Sequence, residues 1–141
     1  MVNQVIVVGL DGSERSHDAL RFALEEARLR DATVEVITTW REDSQGDTRE
    51  QAEEIQAQVR AQVPTDGEGA PPVDFQVVHG RPQEVLVNAS DRAALLVIGA
   101  HGVQSIRRAA LGSISEYVAR LANCPVVVIP AGAAQGATPG E

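Results

Sequence analysis

The chain contains no lysine, and its twelve arginines face twenty acids, for a formal net charge of −8. Nucleic-acid backbones reward clustered Lys and Arg, so this balance speaks against a nucleic-acid partner. The arginines are scattered, with one adjacent pair at Arg107 and Arg108. A small anion would therefore depend on backbone N–H groups, a helix terminus, a metal or those few arginines. Aromatic residues make up only 3% of the chain, so the core must be aliphatic. The single cysteine, Cys124, excludes an internal disulfide. It sits in Asn-Cys-Pro before an apolar run and reads as a small buried hydrophobe, with a redox-sensing thiol as the alternative. No apolar run approaches the ~20 residues of a membrane span. The opening MVNQVIVVGLDGSE carries no basic leader and has an acid where a cleavage site would fall. The expected location is the cytoplasm, with no membrane partner.

What the sequence does have is an alternation of two kinds of segment in 141 residues, about the length of one domain. Val5–Val8 and Leu95–Ile98 are continuous apolar runs, Val34–Thr39 is rich in β-branched residues, Phe75–Val78 repeats that pattern more briefly, and Val126–Ile129 closes the series. Strands covered on both faces have that pattern. Between them lie helical stripes. Ser13 and Ser16 are two candidate N-caps for a helix whose apolar face is Leu20, Ala23, Leu24 and Ala27. From Thr48, a thinner stripe of Ala52, Ile55, Val59 and Val63 ends at Pro64. Pro82 suits the first turn of a third helix with Val85, Leu86, Ala89 and Ala93 on one face. Ser113 opens a fourth, with Ile114, Tyr117, Val118 and Leu121. Buried strands alternating with amphipathic helices call for right-handed crossovers and a parallel sheet with helices on both faces. The expected fold is a single α/β domain over residues 1–130. Arg41–Glu54 and Thr65–Pro72 read as surface loops, and residues 131–141 as a flexible tail.

In open parallel sheets, ligands sit beyond the carboxyl ends of the strands, where the strand order reverses. Two loops are candidates. Gly9-Leu10-Asp11-Gly12-Ser13 follows the first strand, and its acid could take sugar hydroxyls or a metal. Equally, Asp11 and Ser13 could simply shape the turn and cap the helix. The second loop runs from Gly99-Ala100-His101-Gly102 through nine residues to Gly112-Ser113. Its glycines let the backbone present N–H groups, and the helix opening at Ser113 adds unpaired donors, the positive end of its dipole and the hydroxyls of Ser113 and Ser115. Several such donors can hold a phosphate group without lysine. Neither the Walker A spacing nor the GxGxxG fingerprint is present. Asn88-Ala89-Ser90 matches a glycosylation acceptor, but it falls on a helix.

The spacing Gly99-x2-Gly102-x9-Gly112-Ser113 resembles the ATP-binding motif of universal stress proteins, G-2x-G-9x-G-(S/T). The resemblance covers most of the chain. It includes Val8–Ser13, Gly80-Arg81-Pro82, Gly112–Tyr117 and Cys124–Pro130. It implies a doubly wound five-stranded sheet of order 3-2-1-4-5, which brings Asp11 beside Gly99. It further implies that Asp11 contacts the ribose and that the backbone near Thr39 and Ile98 flanks the adenine. Gly99, Gly102, Gly112, Ser113 and Ser115 would surround the phosphates, with Gly9, Leu10 and Ile114 in the same binding set. His101 is a phosphate contact or an exposed imidazole; Arg107 reaches phosphate oxygens or stays solvated. The implied ligand is ATP, with AMP or a cyclic nucleotide as variants and Mg²⁺ as an accompanying ion. The implied assembly is a homodimer through Val126–Ile129. Hydrolysis needs a positioned water and charge neutralisation at the γ-phosphate. No water-positioning residue or arginine finger stands out, so little turnover is expected. A slow ATPase and a nucleotide-free interaction module of the same fold are the alternatives. A ligase of the ATP-pyrophosphatase type would carry an SGGxDS-type loop where this chain has Gly9–Ser13.

Overall fold

A computed structural model of the protein describes residues 4–42, 48–100 and 112–130. In chain order the elements are β1 (Val5–Gly9), α1 (Glu14–Arg30), β2 (Thr33–Trp40), α2 (Arg49–Gln62), β3 (Val73–His79), α3 (Pro82–Ala89), β4 (Leu95–Gly99), α4 (Ser113–Leu121) and β5 (Val126–Ile129). A 3-10 turn, Ser90–Arg92, follows α3. The five strands form one sheet of order β3-β2-β1-β4-β5, and every neighbouring pair is parallel. Sheet order and fold class are therefore those expected.

The continuous apolar runs are explained by which helices cover each face. Alternate residues of a strand point to opposite faces. Ile6 and Val8 of β1, with Leu95 and Val97 of β4, pack with Leu20, Ala23 and Ala27 of α1 and Val59 of α2. Val7, Leu96 and Ile98 pack with Leu86 and Ala89 of α3 and Val118 of α4. Ile6, Val7, Val8, Leu96 and Val97 are all fully buried. Burying one such side chain stabilises the fold by about 1.5–3 kcal/mol relative to leaving it exposed.

Several boundaries differ from the sequence reading for local reasons. Ser13 is the N-cap of α1, its Oγ accepting the Ser16 N–H at 3.2 Å, a bond whose loss typically costs about 1 kcal/mol. Ser16 is not a cap: it is buried in the first turn, accepting from the Gly12 N–H and donating to the Ser13 carbonyl oxygen. Thr48 and Gln51 form a reciprocal capping box at the start of α2. Buried Gln56 interrupts that helix's apolar stripe, donating to Thr38 Oγ1 at 3.2 Å and to the Gln76 carbonyl oxygen at 2.7 Å. Val63 is the C-cap of α2 rather than part of it, and Ala93 lies beyond α3. Gly112 is the N-cap of α4, which opens at Ser113 as expected. Among the described residues, no helix is long and apolar enough to cross a membrane. Residues 131–141 lie outside the described set.

Candidate functional site

Strand order reverses between β1 and β4, which leave the centre of the sheet in opposite lateral directions. Crossover connections on the two sides diverge there and leave a crevice. A cavity of about 300 Å³ occupies this position. That volume lies at the lower end of the roughly 300–1,000 Å³ typical of small-molecule sites.

The cavity floor is the carboxyl end of the sheet: Gly9 from β1, Ile37 to Trp40 from β2, and Ile98 and Gly99 from β4. Leu10, Asp11 and Ser13 enter from the β1–α1 turn and Ser16 from the first turn of α1, and Ile55, Leu86 and Ile114 close it from three further helices. Mostly aliphatic walls with a few polar groups are the usual character of a ligand site. Asp11 and Arg41 border it with opposite charge. The Asp11 side chain is held by its own turn, Oδ1 accepting the Ser13 N–H at 2.9 Å. Asp11 thus shapes the turn while it borders the cavity.

Of the expected site residues, Gly9, Leu10, Asp11, Thr39, Ile98, Gly99 and Ile114 share this cavity. Gly112, Ser113 and Ser115 lie at the start of α4 beside Ile114 and are not themselves part of the described cavity wall. Buried Ser115 donates its hydroxyl to the Gly99 carbonyl oxygen at 3.3 Å, tying α4 to the end of β4. His101, Gly102 and Arg107 lie outside the described residues. Among the described residues no cluster of His, Cys, Asp and Glu could hold a metal ion.

Gly99 has a structural reason for being glycine that its place in a loop motif conceals. A Cβ there would lie 2.8 Å from the Arg15 Cβ and 2.9 Å from the Arg15 backbone carbon. The first turn of α1 therefore rests directly on the end of β4. At Arg15 the Nε is buried without a hydrogen-bond partner among the described residues. Trp40, Arg41, Ser16, Ile55 and Leu86 border the cavity without having been singled out from sequence. Trp40 and Arg41 sit where a strand gives way to a polar stretch, and nothing in that pattern marks them. Ile55 and Leu86 read as ordinary members of apolar helical stripes.

An open, doubly wound parallel sheet with its cavity at the switch point defines a ligand-site class of α/β domain. Within that class the chain belongs to the universal stress protein family, whose profile matches residues 3–130. A universal stress protein of Mycobacterium tuberculosis is 30% identical over 154 residues, covering 91% of this chain and 48% of that one. The chain spans about half the length of the curated mycobacterial relatives it matches. Among solved structures, the universal stress protein of Archaeoglobus fulgidus in complex with dAMP is 30% identical with a TM-score of 0.68, covering 92% of this chain and 99% of that one. A universal stress protein in complex with cAMP is 28% identical with a TM-score of 0.67, covering 92% of this chain and 98% of that one.

Proposed function

We propose that this chain binds an adenine nucleotide in the switch-point cavity, with ATP as the first candidate, and acts in the cytoplasm as a nucleotide-dependent regulator or sensor. The observation that carries the reading is the meeting of Asp11, Gly9 and Gly99 around one cavity between β1 and β4. Similar proteins bound to dAMP and cAMP support an adenine nucleotide as the ligand class. In this reading Asp11 accepts from the ribose hydroxyls, and Thr39 and Ile98 flank the base. The motif glycines and the first turn of α4 hold the phosphates, with His101 and Arg107 from the intervening loop. Ser113 is exposed at that turn. Ser115 contributes by fixing α4 against β4, because its hydroxyl is already engaged. Mg²⁺ accompanies ATP on the phosphate side.

The nucleotide acts as a bound signal with little turnover, since the sequence offers no evident water-positioning residue or arginine finger. The expected assembly is a homodimer through β5. That strand is an edge of the sheet, and its Val126, Val127 and Val128 are only half-buried in the single chain. An unpaired strand edge lined by valines is a natural pairing surface.

The test is titration of the protein with a fluorescent ATP analogue, followed by competition with unlabelled Mg-ATP, AMP and cyclic AMP. Displacement by at least one of them is expected. No binding at millimolar nucleotide would overturn the reading and leave the protein-interaction module in its place.

A further inference from the structure

The chain has only four aromatic residues, two Phe, one Tyr and one Trp. Phe75 packs against the core, while Phe22 and Tyr117 are exposed on helices away from the cavity. Trp40 belongs to neither core cluster, yet it borders the switch-point cavity, the only aromatic side chain to do so among the described residues.

Its surroundings fix its position without covering it. Trp40 and His79 are register partners on β2 and β3, which puts their side chains on the same face. Their rings meet edge to face, with centroids 4.5 Å apart and planes at 65°. His79 is itself held, its Nε2 lying 3.0 Å from Glu42 Oε1. The Trp40 carbonyl oxygen accepts the Gly80 N–H at 2.9 Å, which pins the backbone at the end of the strand. An edge-to-face partner engages one part of an aromatic ring and leaves a π-face for another.

We propose that Trp40 is the specificity-determining residue of the cavity, stacking on the base and selecting purine over pyrimidine nucleotides, with His79 as its positioning residue. The inference rests on the nucleotide reading above and adds to it a residue and a selectivity. The other cavity residues near the end of β2, Ile37, Thr38, Thr39 and Arg41, carry no aromatic ring to stack on a base. Base–aromatic stacking is strong enough to change affinity severalfold to a hundredfold, and it grows with the ring area overlapped. A two-ring purine therefore gains more from an indole than a pyrimidine does.

The experiment measures dissociation constants for ATP and CTP by calorimetry on the wild-type chain, Trp40→Phe and Trp40→Leu, with circular dichroism confirming that each is folded. Wild type is expected to prefer ATP over CTP by at least about tenfold. Trp40→Phe should keep most of that ratio, and Trp40→Leu should collapse it by weakening ATP far more than CTP. His79→Leu should lower the ratio in part and His79→Phe restore it, a pattern that a purely structural role would not give. Because the chain has a single tryptophan, ATP should also quench its emission directly. An unchanged ATP-to-CTP ratio in a folded Trp40→Leu protein that still binds ATP would sink the Trp40 assignment alone. Failure of the wild-type chain to bind any nucleotide would sink both readings together.

Discussion

Gly99 at the end of β4 lies so close to Arg15 in the first turn of α1 that a methyl group on it would sit 2.8 Å from the Arg15 Cβ. Real carbon atoms do not approach that closely, so any side chain at 99 must push the helix away from the sheet. α1 and β4 both line the cavity, through Ser16 and through Ile98 and Gly99, so their separation would disturb it.

Gly99→Val is therefore expected to lower stability before it changes any ligand contact. Overpacking of a closely fitted site costs about 1–3 kcal/mol. At roughly 3–5 °C per kcal/mol for a domain of this size, thermal denaturation should show a midpoint lower by several degrees. A melting temperature equal to wild type would show that α1 yields without cost and that the glycine serves the loop alone.

Asp11→Ala separates the two uses of that carboxylate. Loss of its bond to the Ser13 N–H, in an exposed turn, should cost about 0.5–1 kcal/mol of stability. Loss of a charge-assisted contact to a nucleotide should weaken binding by about ten- to a hundredfold. Calorimetric titration beside a thermal melt gives both numbers. A large fall in stability with unaltered affinity would confine Asp11 to shaping the turn.

Gly80 stands between β3 and α3 with φ of +144°, a backbone conformation that residues with a Cβ rarely enter. A Cβ there would also meet Val85 Cγ2 at 2.8 Å. Gly80→Ala should destabilise by about 1–3 kcal/mol, visible as a lower urea midpoint with an unchanged slope. Because Gly80 donates to the Trp40 carbonyl oxygen, the emission of that tryptophan should shift as well.

Partial burial of Cys124 raises its thiol above the ordinary value, since desolvation disfavours the thiolate. The thiolate is the reactive form, so alkylation by iodoacetamide should need a higher pH in the folded chain than in urea. The linked stability is fully present below the unfolded thiol pKa and is lost as pH rises through the folded one. A rate–pH curve whose midpoint in the folded protein falls at the same pH as in the unfolded chain, or lower, would contradict this.

The strands were legible because two covered faces force continuous apolar runs, and Val5–Val8 and Leu95–Ile98 show this in a few residues. The loop spacing from Gly99 to Ser113 drew attention to the carboxyl end of the sheet, where the cavity lies, although the strand order came from family resemblance and not from periodicity. Gln56 was not legible, since glutamine in a helix reads as exposed. Its burial depends on the rotation of α2 that aims it at Thr38 and the Gln76 carbonyl. Trp40 was missed for a related reason. A lone aromatic at the boundary of a strand and a polar stretch gives no period, and only its pairing with His79 across β3 shows where it stands. Ser16 looked like a second cap because serine near a helix start usually is one, whereas burial made it an internal brace.

The order of the sheet also sets the sequence in which the chain can assemble during synthesis. β1, β2 and β3 are neighbours in space and leave the ribosome first, so one half of the sheet can pair while the rest is still being made. β1 then waits for β4, with Val7 meeting Leu96 across most of the chain's length. Closing so long a loop is slow, because its entropy must be surrendered before any contact rewards it. Until it closes, Val7 and Val8 have an open edge, and the crevice has one wall. A small molecule that fits this crevice can grip only the finished protein, so its presence would act as a late fastener on folding and would slow the reopening of the seam between the two halves.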